Sequence, residues 1–204
     1  MFLLFIKAFI FGIAVAAPIG PMGVLCMRRT LVQGWKSGVA TALGIAVCDA
    51  LYAAIAALGL TKISEFILAN KVGFNLVAGM FIGCYGIKIF LSKNEPKIAN
   101  KEISYVSLPY AFGSSLMMTL TNPLTILFFV TVFATLTPQS GFDNLSSAIT
   151  IGSVFSGSLS WYIGIIASVS FFRDVISDKK RMLIEKITGI FLIIFGILEI
   201  CQIF

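Results

Sequence analysis

The sequence predicts an all-α integral membrane protein: six transmembrane helices as two inverted three-helix repeats, with proline-broken helices 1 and 4. Three observations predict this class. The chain is 58% hydrophobic over 204 residues, against about 45–50% for soluble domains, and its mean hydropathy is +1.00. Several apolar runs exceed the roughly 18 residues that mark a membrane-crossing helix. Prolines lie deep inside the first and fourth of these runs, and paired glycines recur in the third and sixth.

The spans read as 2–27, 38–60, 72–91, 109–136, 147–171 and 184–204. The opening "MFLLFIKAFIFGIAVAA" lacks a basic first region and has Lys7 inside its apolar run, so it reads as the first span rather than a leader. Residues 1–204 form one membrane domain: a first repeat over 1–91, a cytoplasmic linker over 92–108 and a second repeat over 109–204. No water-soluble domain fits beside the spans.

Charge orients the bundle. Arg28, Arg29 and Lys36 follow span 1. Lys93, Lys97 and Lys101 follow span 3, and Arg173, Lys179, Lys180, Arg181 and Lys186 follow span 5. The opposite loops and terminus hold only Lys7, Lys62 and Lys71. Cytoplasmic loops are rich in Lys and Arg, so both termini are expected outside. The net charge of +6 has the same origin, and no basic patch with interleaved aromatics points to nucleic acid. Lys88, opposite the glycine face of span 3, is expected to reach the interface with its long stem.

Each half reads as a proline-broken helix, a second helix and a glycine-faced helix. Pro18 and Pro21 mark span 1 and Pro123 marks span 4. Gly79 and Gly86 in span 3 correspond to Gly189 and Gly196 in span 6. Three spans per half turn the second half upside down, the ground plan of many secondary transporters. Proline removes a backbone donor and clashes with the carbonyl four residues back. In hydrocarbon such unpaired groups are tolerated only where protein buries them or they line a wet cavity. Gly20-Pro21 and Asn122-Pro123 both match a cap followed by proline at the first helical position. Two half-helices are therefore expected to begin within the bundle, and a helix N-terminus favours an anion such as a carboxylate.

Asp49 lies near the middle of span 2. A carboxylate there costs roughly 2.5–3.5 kcal/mol on insertion scales, so it should face a cavity or a partner. Gly38, Ala42, Ala46, Ala53 and Ala56 form a small-residue stripe on its side, which turns Asp49 inward. It could hold an ammonium, exchange a proton or pair with a cation of the protein. Glu199 follows the glycine face of span 6 and is a second candidate inward acid, or an ordinary interfacial one. Ser153, Ser156, Gly157, Ser160 and Gly164 give span 5 a face for close packing, while Trp161 and Tyr162 either wall a pocket or fill the core. Cys26, Cys48, Cys84 and Cys201 show no metal or redox spacing, and histidine is absent. Neither a cofactor nor a bound metal is expected, and the chain does not read as an enzyme.

The stretch "APIGPMGVLCMRRTLVQGWKSGVATALGIAVCDALY" resembles the N-terminal signature of the LysE/RhtB family of amino-acid exporters, through Gly20-Pro21, Gly34, Gly38, Gly44, Asp49 and Tyr52. "FGSSLMMTLTNPLTILFF" is similar to its second-half signature, through Phe112, Asn122, Pro123, Phe128 and Phe129. Two departures stand out. Leu124 follows Asn-Pro where the family often has lysine, and "AAPIGP" replaces the more usual Pro-Gly-Pro. The resemblance implies export of an amino acid or similar metabolite, driven by the proton gradient across a bacterial inner membrane. Asp49, Gly20, Pro21, Asn122, Pro123, Pro18, Tyr52 and Glu199 are then the expected substrate site, with Asp49 carrying the proton. Pairing of two copies is compatible with so small a chain. Two other readings share the architecture: a divalent-metal exporter, which wants more acidic ligands, and a thiol-redox conduit, which wants a cysteine in each broken helix. Cys26 supplies one and span 4 supplies none.

Overall fold

A computed structural model describes residues 1–17, 20–57, 70–91, 107–122, 125, 129, 143–172 and 178–201. Seven helices are described: α1 (Phe2–Ala16), α2 (Pro21–Gln33), α3 (Trp35–Ala57), α4 (Lys71–Phe90), α5 (Leu108–Leu120), α6 (Asn144–Phe172) and α7 (Asp178–Cys201). Among the described residues there is no strand. Helices α3 and α6 are long and apolar enough to cross a membrane, and α1 with α2 makes a third such unit as a bent pair.

The break in the first apolar run is real and local in origin. The axes of α1 and α2 meet at 78°. Helix α1 closes with the Ala17 N–H on the Ile13 carbonyl, and α2 restarts with Gly20 as an extended cap and Pro21 at its first position. Proline costs nothing there, because the first N–H groups of a helix have no intrahelical acceptor.

Helix α2 overturns the reading of residues 28–36 as a basic loop. It continues to Gln33, and Gly34 alone joins it to α3. Gly34 has φ 96° and ψ 167°, a conformation essentially closed to other residues. Its carbonyl accepts the Ser37 and Gly38 N–H groups and so starts α3. The hairpin therefore depends on this glycine. Gly34→Ala is expected to lower stability by about 1–3 kcal/mol, seen as a lower unfolding midpoint of the purified protein. Arg28 and Arg29 consequently lie in the bundle and are buried. The positive-inside bias survives without them.

Helix α2 is buried along most of its length and touches α3, α5, α6 and α7. Glycines set the closest approaches. A side chain on Gly12 of α1 would strike the Val154 carbonyl of α6, and one on Gly157 would strike the Phe9 carbonyl of α1. Helices α4 and α7 meet glycine to glycine: a Cβ on Gly196 would lie 2.6 Å from the Gly79 carbonyl, and one on Gly86 would lie 2.9 Å from that of Gly189. The two glycine pairs noted in the sequence thus face one another. Lys88 is exposed, away from that seam.

Asp143 starts α6. The Ser146 hydroxyl, and after it the N–H groups of Ser146 and Leu145, hold its exposed carboxyl below the usual range.

Candidate functional site

Asp49 is 1% exposed and lies on the inner face of α3, as the small-residue stripe requires. The Ser158 hydroxyl of α6 donates to its Oδ2 at 2.6 Å. Among the described residues no Lys or Arg forms an ion pair with it, and Ser158 is its side-chain hydrogen-bond partner. Asp49 sits at the seam of two apolar clusters. Phe11, Cys48, Tyr52, Phe129 and Val154 belong to one; Met22, Cys26, Ile45, Met118 and Tyr162 belong to the other. A lone carboxyl with one neutral hydrogen-bond partner is an expensive thing to bury, and a packing role does not require it.

The start of α2 and the end of α5 flank this region. Met22, in the first turn of α2, shares a cluster with Ile45, one turn before Asp49. Among the described residues nothing lies within 4 Å of where a side chain on buried Gly23 would begin. On the other side α5 ends at Leu120, and Asn122 is buried just beyond it. Tyr52, one turn after Asp49, donates its hydroxyl to the Leu120 carbonyl at 2.5 Å. That bond pairs an acceptor that the end of the helix would otherwise leave bare. Tyr52 is thus a structural partner of the end of α5. Phe129 packs edge-on to Phe11 at 5.4 Å and tilted against Tyr52 at 5.6 Å, sealing the same region.

Of the expected site residues, Gly20 and Pro21 start α2, Asp49 is buried on α3, and Tyr52 is bonded to the end of α5, two residues before buried Asn122. Pro18 and Pro123, and the side chain of Glu199, lie outside the described residues. Tyr162 fills the core within electrostatic reach of Asp49, while Trp161 is only partly buried. The buried face of α6 keeps Ser153 and Gly157 but turns Ser160 and Gly164 outward. Ser158, which the sequence reading did not single out, occupies the key position.

A second polar cluster lies deeper along the α2–α3 hairpin. Arg29 is 0% exposed. Its Nη1 donates to Thr41 Oγ1 at 3.0 Å and to the Ala111 carbonyl at 2.8 Å; its Nη2 donates to Ser114 Oγ at 2.8 Å and to the Tyr85 hydroxyl at 3.1 Å. The guanidinium carbon also lies 5.6 Å from the Tyr85 ring centroid. Among the described residues no group of three or more His, Cys, Asp or Glu side chains could hold a metal ion. Cys26 and Cys48 are buried free thiols.

Helices long and apolar enough to cross a membrane, with a carboxyl buried among them, are those of a helical membrane protein. The LysE type translocator family model matches residues 13–202, and the chain belongs to that family. It is 25% identical over 197 residues to the "Putative amino acid efflux protein YcgF" of Bacillus subtilis (strain 168), covering 95% of this chain and 93% of that protein. It is 28% identical over 170 residues to the leucine efflux protein of Salmonella typhimurium, covering 80% and 77%. A third relative, the uncharacterized membrane protein YrhP of Bacillus subtilis, is 24% identical over 190 residues, covering 85% and 87%. No solved structure matches the chain.

Proposed function

We propose that the protein is a secondary-active exporter of an amino acid or related small metabolite, coupled to protons and working by alternating access. The observation that carries this reading is the Asp49 carboxyl, buried within the bundle with, among the described residues, only a serine hydroxyl as its side-chain hydrogen-bond partner. The named functions of two relatives, amino acid efflux and leucine efflux, supply the substrate class.

The substrate ammonium binds Asp49, and its carboxylate meets the N–H groups at the start of α2 by Gly20-Pro21 and at the break by Asn122-Pro123. When the site faces outward, a proton neutralises Asp49 and the substrate leaves. When it faces the cytoplasm, the proton departs and the carboxylate is free for the next substrate. Each outward passage of substrate is then tied to one inward proton.

Six spans as two inverted repeats fit this scheme. An inverted repeat pairs equivalent helices across its pseudo-axis. Helices α3 and α6 meet at Asp49 and Ser158, and α4 and α7 meet along matching glycines. With both termini outside, the chain sits in the bacterial inner membrane and residues 92–108 lie in the cytoplasm.

An export screen tests the function. Cells expressing the protein are loaded with dipeptides, and the amino acids appearing outside are measured. One neutral amino acid, or a small group of them, is expected to leave faster than from cells without the protein. Export that is unchanged across the whole set would contradict the assignment.

A further inference from the structure

Among the described residues Arg29 is a charge without a counter-charge. Its hydrogen-bond acceptors are neutral, among the described residues no carboxylate pairs with it, and its Nε is buried with no partner. Arginine stays charged across the physiological range and presents a planar fork suited to a carboxylate. Burying such a group is expensive unless it is paired. The site is nevertheless built with care. Thr41 and Ser114 give their own hydroxyl protons to the carbonyls of Ser37 and Tyr110, which leaves their oxygens free to accept from Arg29. Four helices, α2 to α5, contribute to holding the guanidinium.

We propose that Arg29 is a second ligand station, a carboxylate-binding guanidinium set apart from Asp49 along the α2–α3 hairpin. This rests on the reading of the protein as an amino-acid exporter. Arg29 touches Thr41, and Thr41 precedes Asp49 by eight residues of one helix, about 12 Å. The ammonium and carboxylate of an α-amino acid are joined through one carbon and lie less than about 4 Å apart. Along α3 the two residues are thus about two turns apart, farther than the two ends of one α-amino acid. Arg29 therefore takes the carboxylate at a separate stage of passage, and Asp49 takes the ammonium at another. The neutral oxygens of Ser114 and Tyr85 hold the fork while the station is closed. An anionic acceptor makes hydrogen bonds roughly twice as strong and displaces them. Ser114 and Tyr85 sit on α5 and α4, so filling the station frees α4 from Arg29, while α5 keeps its bond through the Ala111 carbonyl.

The test uses acetate as a bare carboxylate, with acetamide as its neutral counterpart and chloride as the inorganic anion. The thermal unfolding midpoint of the purified full chain is titrated with each. The wild type is expected to be stabilised by acetate, with at least a tenfold weaker response to acetamide and to chloride. Arg29→Gln should abolish the acetate response, and Asp49→Asn should keep it. Tyr85→Phe and Ser114→Ala each remove a competing neutral acceptor and should shift the acetate response to several-fold lower concentration, which keeps the test decisive even where Arg29→Gln fails to fold. An acetate response that persists in Arg29→Gln, or equals that of chloride, overturns the proposal. So does an unchanged or weaker acetate response in both acceptor variants. A protein that exports no amino acid yet responds to acetate through Arg29 would sink the transport reading and leave the station standing.

Discussion

Replacing Asp49 by asparagine is expected to reduce proton-driven amino-acid export to the level of empty proteoliposomes while leaving the amount of folded protein unchanged. The two halves of this expectation have separate reasons. Asparagine matches aspartate in size, and its side-chain carbonyl can accept the hydrogen bond from Ser158 that Oδ2 now accepts. It also removes a charge whose burial is costly, so the bundle has no reason to unfold. On the proposed mechanism, what the variant lacks is a group that alternates between an anion, which holds an ammonium, and a neutral acid, which does not. A pH gradient imposed across the membrane then has nothing to act on. Export by Asp49→Asn at the wild-type rate would show that coupling lies elsewhere, with Glu199 the next residue to change.

The second large effect concerns packing. Gly157→Leu should abolish recovery of folded, monodisperse protein, whereas Gly164→Leu, two turns along the same helix, should be recovered like the wild type. At Gly157 the first added carbon already strikes the Phe9 carbonyl of α1 and lies 3.2 Å from the Gly12 Cα. These are backbone atoms, so no rotamer change relieves the clash and α1 must move away. Since α1 carries Phe11, which packs on Phe129 beside the candidate site, its displacement also opens that seal. At Gly164 nothing among the described residues lies within 4 Å, and the position is exposed. Small-residue faces let membrane helices approach closely, and a bulky side chain forfeits the packing that holds them. Size-exclusion chromatography of the two variants, expressed in parallel, measures the difference.

Much of this arrangement was readable from the chain because its causes are local. Gly20 and Pro21 start a helix through the chemistry of two adjacent residues. Asp49 points inward because alanines and a glycine share its helical face. The glycines of α4 and α7 mark a seam because no side chain could be accommodated there. The features that were not readable depend on partners distant in sequence. Ser158 is one of several serines on α6, and helical spacing permits more than one stripe through them. Only the position of Asp49 on α3 selects Ser158. Arg29 was hidden more thoroughly. An Arg-Arg pair at the end of an apolar run has the same appearance as a cytoplasmic loop. Because α1 ends at Ala16, α2 begins inside the bundle and carries Arg29 among three neighbouring helices before Gly34 turns the chain. The Thr41, Tyr85 and Ser114 groups that receive it are spread over three helices, so no sequence window displays them together.

The central claim is that one carboxyl is shared in turn by a proton and a substrate. Its most direct test is a pH-indicator measurement on the purified protein in weak buffer, titrated with the amino acid identified by the export screen. Competition at Asp49 predicts that adding substrate to the protonated wild type releases a proton, and that the same addition to folded Asp49→Asn releases none. Saturable binding by the wild type without proton release, or release that persists undiminished in Asp49→Asn, would contradict it.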